Sequence, residues 1–127
     1  MNNRKIITKE APQPIGPYTQ ATEAHGFIFI SGQIAMDPGS GNLIVNNITE
    51  ETEQVMKNIK GILNAAHLDF NNVVKASIFL SDLNNFDKVN MEYAKYFSKD
   101  NAPARECVEV SRLPKDVNVE ISVIAAR

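Results

Sequence analysis

Two short segments near the end of the chain alternate apolar with polar residues, and they constrain the fold more than any other feature. The first, residues 105–110, places an arginine and a cysteine two positions apart. The second, residues 117–125, alternates valine and isoleucine with polar residues that include Glu120. Because successive side chains of a strand point to opposite faces, this period of two predicts two strands, each with one face in the core.

The same alternation assigns a face to each chemically distinctive side chain. Arg105 and Cys107 share one face of the first strand, and Val108 and Val110 take the other. In the second strand, Glu120 lies opposite the valines. If both valine faces pack on one core, then Arg105, Cys107 and Glu120 all project from its far side. We therefore expect a cation, a thiol and a carboxylate to be gathered on one face of the sheet.

Length, charge and cysteine content limit the class of protein. With 127 residues, 43% of them hydrophobic, the chain fits a single domain spanning residues 1–127. The net charge is −2 and no basic stripe is present, which argues against nucleic acid or an anionic membrane as partner. One cysteine and two distant histidines do not have metal-ligand spacing. No apolar stretch has the length of a signal peptide or a membrane span, so we expect a cytoplasmic protein.

The remaining patterns predict two helices among six strands. Helical spacing of apolar residues follows Thr49, a possible N-cap, and a second helix could begin at Asn84. The other strands are predicted at residues 4–9, 19–24, 27–30 and 73–80. The order β-β-β-α-β-α-β-β, with crossovers of one hand, places both helices on one face of a mixed sheet. The opposite face stays open, and oligomerisation would cover it.

Two segments with glycines are suited to forming part of a site. Gly16 and Pro17 fix a loop that carries Tyr18. Gly32, which follows Ser31 at the end of an apolar strand, predicts a β-bulge or the close approach of a ligand.

Several short motifs are separated along the chain, and their combination in this order is more specific for a protein family than any one of them. They are Ile15–Gln20, Ser31–Gln33, Val89–Asn90, Pro103–Arg105, Cys107–Val110, Arg112–Lys115 and Glu120–Ile121. Over residues 11–125 they resemble the Rid (YjgF) family of enamine/imine deaminases, in its archetypal subgroup. The resemblance implies an α+β, chorismate-mutase-like fold with a six-stranded mixed sheet, and a homotrimer with active sites in clefts between subunits.

The resemblance also implies a reaction and its residues. The family hydrolyses reactive 2-imino and 2-enamino acids, such as 2-iminobutanoate and 2-iminopropanoate, to 2-oxo acids and ammonia, without metal or cofactor. Its arginine and later glutamate correspond to Arg105 and Glu120 here. The planar fork of arginine suits the substrate carboxylate, and a glutamate can act as general base and then acid.

Further residues complete the predicted substrate-binding set. They are Tyr18, Ser31, Gly32, Asn90 and Cys107. Cys107 is assigned a lining role, because no histidine lies near it in sequence to activate the thiol. Three positions depart from the family pattern: Glu106 replaces a small residue, Thr19 replaces serine, and Ala102 replaces a large aromatic residue, which would widen the cleft.

Other interpretations remain open at the level of sequence. Arg105 could form a structural ion pair, Glu120 could be a satisfied carboxylate at an interface, and Tyr18 could simply pack in its loop. The same cleft could serve a regulatory module that senses small 2-oxo acids without catalysis. A ribonuclease or translation inhibitor is the third alternative, although the basic, aromatic-rich surface that RNA binding uses is missing from the sequence.

Overall fold

The computed structural model describes residues 3–127, and its element order is the predicted one. The strands and helices are β1 Arg4–Ile6, β2 Ala21–Ala24, β3 Phe27–Gln33, α1 Ile48–Ala65, β4 Val73–Leu80, α2 Phe86–Ala94, β5 Ala104–Glu109 and β6 Val119–Ala126. The first strand ends three residues earlier than predicted, because the backbone of Thr8 exchanges hydrogen bonds with the side chain of Gln20 at 2.8 and 3.0 Å and not with a neighbouring strand.

The six strands form one mixed sheet in the order β1-β2-β3-β6-β4-β5. The last strand, β6, lies in the centre and runs antiparallel to both β3 and β4. Those two strands are therefore parallel to each other, and α1 makes the crossover between them. Strand β5 pairs in parallel with β4 at the edge of the sheet, after the crossover through α2.

Both helices cover one face of the sheet, which confirms the predicted α+β architecture. The apolar face of α1 packs on alternate residues of the central strands, including Ile28, Ile78 and Ile121, all at most 1% exposed. In β6 the predicted faces are correct, because Val119, Ile121 and Val123 are buried and Glu120 lies opposite them.

Both predicted N-cap residues are wrong, although the residues that make the capping hydrogen bonds lie only two positions earlier in the sequence. Asn47, not Thr49, caps α1: its backbone is extended and its side chain accepts from the N–H of Glu50 at 2.9 Å. Before α2, a 3-10 turn precedes the helix, and Asp82 accepts from the N–H of Asn84 at 2.9 Å. Side-chain amides and carboxylates compete for this role, and sequence alone leaves the choice within a few residues open.

The predicted grouping of Arg105, Cys107 and Glu120 on one face is also wrong. In the parallel ladder, Arg105 lies beside Ala76 and Cys107 beside Ile78, and both of these neighbours are buried under the helices. Since paired residues share a face, Arg105 and Cys107 are on the helix side and Glu120 is on the open side. The error came from the assumption that the valine face of β5 packs on the same core as that of β6. As an edge strand, β5 instead leaves Val108 42% exposed on the open face.

The open face mixes aromatic and charged side chains. Phe27 and Phe29 are each 44% exposed there. Glu106 points to this face, as its alternation with Arg105 predicts, and it pairs with Lys75 at 2.7 Å and with the hydroxyl of Ser77. The face is therefore apolar with an ion pair inside it, which is the composition of a surface that a second protein chain can cover.

Candidate active site

A cleft of 490 Å³ lies where the loops before β2 and before β6 meet the end of β3. Its lining residues are Pro12, Gln13, Ile15, Tyr18, Gln20, Ser31, Gly32, Gln33, Ile34, Met36, Pro114, Lys115 and Glu120. Apolar walls with a few convergent polar groups are typical of small-molecule sites.

The carboxylate of Glu120 rests directly against Gly32. The ladder between β3 and β6 shifts register between Ile30 and Gln33, which confirms the predicted bulge. A Cβ at position 32 would lie 2.7 Å from Oε2 of Glu120. The glycine leaves room for the carboxylate in its present position, and its φ is not in the left-handed region, so a side chain here would displace Glu120 without straining the backbone.

Burial raises the pKa of Glu120 above its ordinary value of 4.5. The cause is desolvation of the carboxylate, without a cation that offsets it. A carboxylate whose proton affinity is increased in this way accepts and returns protons more readily near neutral pH, which suits a general base that later acts as an acid.

The loop that carries Tyr18 is held rigidly at the rim of the cleft. Gly16 has a φ of 126°, which other residues rarely adopt, and its carbonyl accepts from the N–H of Tyr18 at 2.9 Å. Gln20, 2% exposed, donates to the carbonyls of Thr8, Ala11 and Pro12 at 2.9–3.1 Å. The tyrosine itself remains 54% exposed, so its hydroxyl is accessible from the cleft mouth.

The hydroxyl of Ser31 already has a donor role within the fold. Its Oγ donates to the carbonyl of Thr19 at 2.6 Å, and its N–H donates to the carbonyl of Gln20 at 2.9 Å. Ser31 can therefore offer a ligand only the acceptor side of its oxygen.

Arg105 lies on the other side of the sheet, at its β5 edge, and α2 holds it in place. Nη1 donates to Oδ1 of Asn90 at 2.7 Å. The guanidinium carbon lies 5.0 Å from the ring centroid of Tyr93 and 5.7 Å from that of Phe86. The stacking and the single hydrogen bond fix the plane of the guanidinium while the side chain stays exposed, so further N–H donors remain for a carboxylate.

Cys107 lies two residues beyond Arg105 on the same face and packs against the core. Burial raises the pKa of its thiol, although the charge of Arg105 opposes that effect. A thiol with a raised pKa holds little thiolate at neutral pH, which favours the predicted lining role over that of a nucleophile.

The predicted residues thus fall into two groups. Tyr18, Ser31, Gly32 and Glu120 line the cleft. Asn90, Arg105 and Cys107 form a second group, which we call the arginine edge. Within one chain, the two groups lie on opposite faces of the sheet.

Sequence reasoning missed residues in both groups. Lys115 lines the cleft from a turn in which it and Asp116 both have a positive φ, 55° and 57°. The Arg112–Lys115 motif marked this turn, but the spacing gave no direction for the lysine side chain. The aromatic support of Arg105 by Phe86 and Tyr93 was also missed, because the sequence does not show which residues of α2 pack beside β5.

Within residues 3–127, no group of three or more His, Cys, Asp or Glu side chains could hold a metal ion. In the same part of the chain, neither helix has the length and apolar character to cross a membrane.

Comparison with known proteins gives a consistent set of relatives. Residues 8–127 match the family model described as Endoribonuclease L-PSP. The chain is 52% identical over 120 residues to a RutC family protein of Pyrococcus horikoshii, covering 94% of each chain. It is 48% identical over 122 residues to the 2-iminobutanoate/2-iminopropanoate deaminase of Homo sapiens, covering 96% of this chain and 88% of that protein. The solved structure of the Rid family protein YyfA from Yersinia pestis aligns with a TM-score of 0.96 at 45% identity, covering 99% and 100% of the two chains.

Proposed function

We propose that this chain, which belongs to the Rid (YjgF) family, is a hydrolase that converts short 2-imino acids to 2-oxo acids and ammonia. The substrates proposed are 2-iminobutanoate and 2-iminopropanoate, together with the 2-enamino acids that tautomerise to them. The related human protein carries the name of this activity. The observation that carries the proposal is the partly buried Glu120 carboxylate, with its raised pKa, in a cleft of small-molecule size.

A 2-imino acid needs a partner for its carboxylate and a positioned water at its imine carbon. In this proposal the arginine edge supplies the first and the cleft supplies the second. The substrate carboxylate needs a fork of N–H donors, which Arg105 presents with its plane fixed by Asn90 and Tyr93. The imine carbon needs a positioned water. We assign the positioning of this water to Glu120, which accepts a proton from it as the C–O bond forms on the protonated imine and gives a carbinolamine. Glu120 then returns this proton to the nitrogen. As the C–N bond breaks and ammonia leaves, the hydroxyl proton of the intermediate passes to Glu120, the carbonyl forms, and Glu120 releases that proton to solvent.

The division of the two groups over opposite faces leads to a proposal about assembly. One chain can supply only half of this site, so the arginine edge of one subunit would close the cleft of its neighbour. We propose a closed homotrimer in which the exposed Phe27, Phe29 and Val108 of the open face are covered. An exposed apolar face of this kind is unfavourable for a free monomer and supports association.

The experiment is ammonia release from 2-iminobutanoate generated in situ by a threonine dehydratase. The wild-type protein should accelerate release, and Arg105→Ala should lower kcat/KM by about 10²–10³-fold because the carboxylate loses its charged partner. The control is Arg4→Ala, which removes an exposed arginine on β1 that pairs with Glu23 at 3.7 Å, outside the proposed contacts. A wild-type protein without turnover would reject the proposal, and full activity in Arg105→Ala would remove the arginine from the mechanism.

The alternative of RNA cleavage rests on the description of the family model. The cleft offers it little, because Lys115 is the one basic residue among its lining residues. A ribonuclease would bind RNA with a steep dependence on salt concentration. Filter binding of a single-stranded RNA at two salt concentrations separates the two functions.

A further inference from the structure

A second glutamate, Glu51, is fully buried in the first turn of α1, next to the beginning of β6. Its side chain is 0% exposed. Oε2 accepts from the backbone N–H of Asn118 at 2.7 Å and from that of Val119 at 3.1 Å, and Oε1 accepts from the side-chain amide of Asn118 at 2.8 Å. One carboxylate therefore satisfies three donors from two adjacent residues.

The hydrogen bonds explain how this polar side chain is accommodated in the interior. Within residues 3–127, the described partners of Glu51 are all amide N–H groups. Both carboxyl oxygens therefore have hydrogen-bond partners, as a buried polar group requires.

The residues that Glu51 holds lead directly into Glu120. Asn118 and Val119 are the two positions before it, and the carbonyl of Asn118 also accepts from the N–H of Ser81, the residue after β4, at 3.1 Å. On the other side they follow the turn in which Lys115 and Asp116 have left-handed backbone. Such conformations are costly for residues with a Cβ and persist when the surrounding structure imposes them.

We propose that Glu51 is a positioning residue for the reaction: it fixes the start of β6, and thereby the place of the Glu120 carboxylate over Gly32. The proposal rests on the function proposed for Glu120. The carboxylate lies close to the backbone of Gly32, since a Cβ built there would be 2.7 Å from Oε2 of Glu120. A displacement of about 1 Å in a reacting group can cost about 10²-fold in rate.

The test is Glu51→Gln, which keeps the size of the side chain but turns one acceptor into a donor facing amide donors. We expect kcat to fall by about tenfold or more, with KM within about twofold of wild type, because the carboxylate anchor Arg105 lies on another strand. Hydrogen exchange at the amides of Asn118 and Val119 should accelerate. The matched control is Glu92→Gln, a glutamate 2% exposed on α2 that pairs with Lys95 at 2.9 Å; its kcat should stay at the wild-type level.

A second variant keeps the test decisive if Glu51→Gln does not fold. Asn118→Ala removes one of the three hydrogen bonds from a half-buried position, and it should lower kcat by about threefold at unchanged KM. Wild-type kcat in a folded Glu51→Gln, or in Asn118→Ala where Glu51→Gln does not fold, would overturn the proposal while leaving the function of Glu120 intact. If Glu120→Gln itself retained full turnover, the proposed function would fail first, and the two failures are thus distinguishable.

Discussion

The cleft around Glu120 and the arginine edge are built in opposite ways. In the cleft, loops and a β-bulge bury a carboxylate among mostly uncharged residues, and its pKa rises. At the edge, Arg105 stays exposed, and helix α2 controls its orientation through one hydrogen bond and two aromatic rings. The first region tunes the protonation of an acid, whereas the second fixes the direction of a permanent charge.

This difference indicates which step of the proposed reaction each region is suited to, proton transfer or binding of the substrate carboxylate. Partial desolvation increases the proton affinity of a carboxylate, which proton transfer requires. A guanidinium needs no such tuning, since it is charged at every relevant pH, and it gains from a fixed plane instead. The two regions therefore predict different kinetic consequences when each is altered.

The largest effect should come from removing the carboxylate in the cleft. Glu120→Gln keeps the shape but cannot accept a proton, so kcat should fall by about 10³–10⁴-fold. KM should change little, because the proposed reaction places the substrate carboxylate at the arginine edge and not at Glu120. Steady-state kinetics on 2-iminobutanoate measure both quantities. An effect on KM alone would mean that Glu120 binds substrate and does not move protons.

A smaller effect should follow from crowding the carboxylate without removing it. Gly32→Ala places a methyl group where the Glu120 carboxylate now lies, and the displaced carboxylate should lower kcat by about 10–10²-fold. Gly39→Ala, in a surface turn where the nearest atom to a Cβ is Oδ1 of Asp37 at 3.2 Å, is the control and should keep wild-type kcat. Equal kinetics in the two variants would show that the position of Glu120 does not limit the rate.

The smallest expected effects are on the pH dependence of activity and of the free energy of unfolding. Because the base must be ionised, activity should fall on acidification with a midpoint above 4.5, the ordinary value of a glutamate.

The raised pKa also means that the fold favours protonated Glu120, so the stability it contributes at low pH is lost as pH rises through the folded pKa. Glu120→Gln should therefore be more stable than wild type at pH 7 and equal to it below pH 4.5. Thermal unfolding at both pH values gives the comparison, and a destabilised variant at pH 7 would contradict it.

The sequence predicted the helices, the strands and many of the candidate site residues, but not which face of the sheet carries each of those residues. The alternation in β6 gave the right face for Glu120, and the glycine in β3 gave the bulge. The face of Arg105 was wrong because an edge strand is not obliged to bury its most apolar side, and its own alternation does not reveal which neighbour sets the register. The role of Glu51 was missed, since a contact across 67 residues leaves no local pattern.

Mixing two inactive variants tests most directly the claim that the cleft of one chain and the arginine edge of another form one site. Arg105→Ala and Glu120→Gln subunits are unfolded together, refolded as a mixture and assayed for ammonia release. Random assortment in a closed ring should place an intact edge against an intact cleft in about a quarter of the sites, and activity should recover to about that fraction of wild type. If both residues acted within one chain, every site would keep a lesion, and a mixture as inactive as its components, despite demonstrated subunit exchange, would contradict the account.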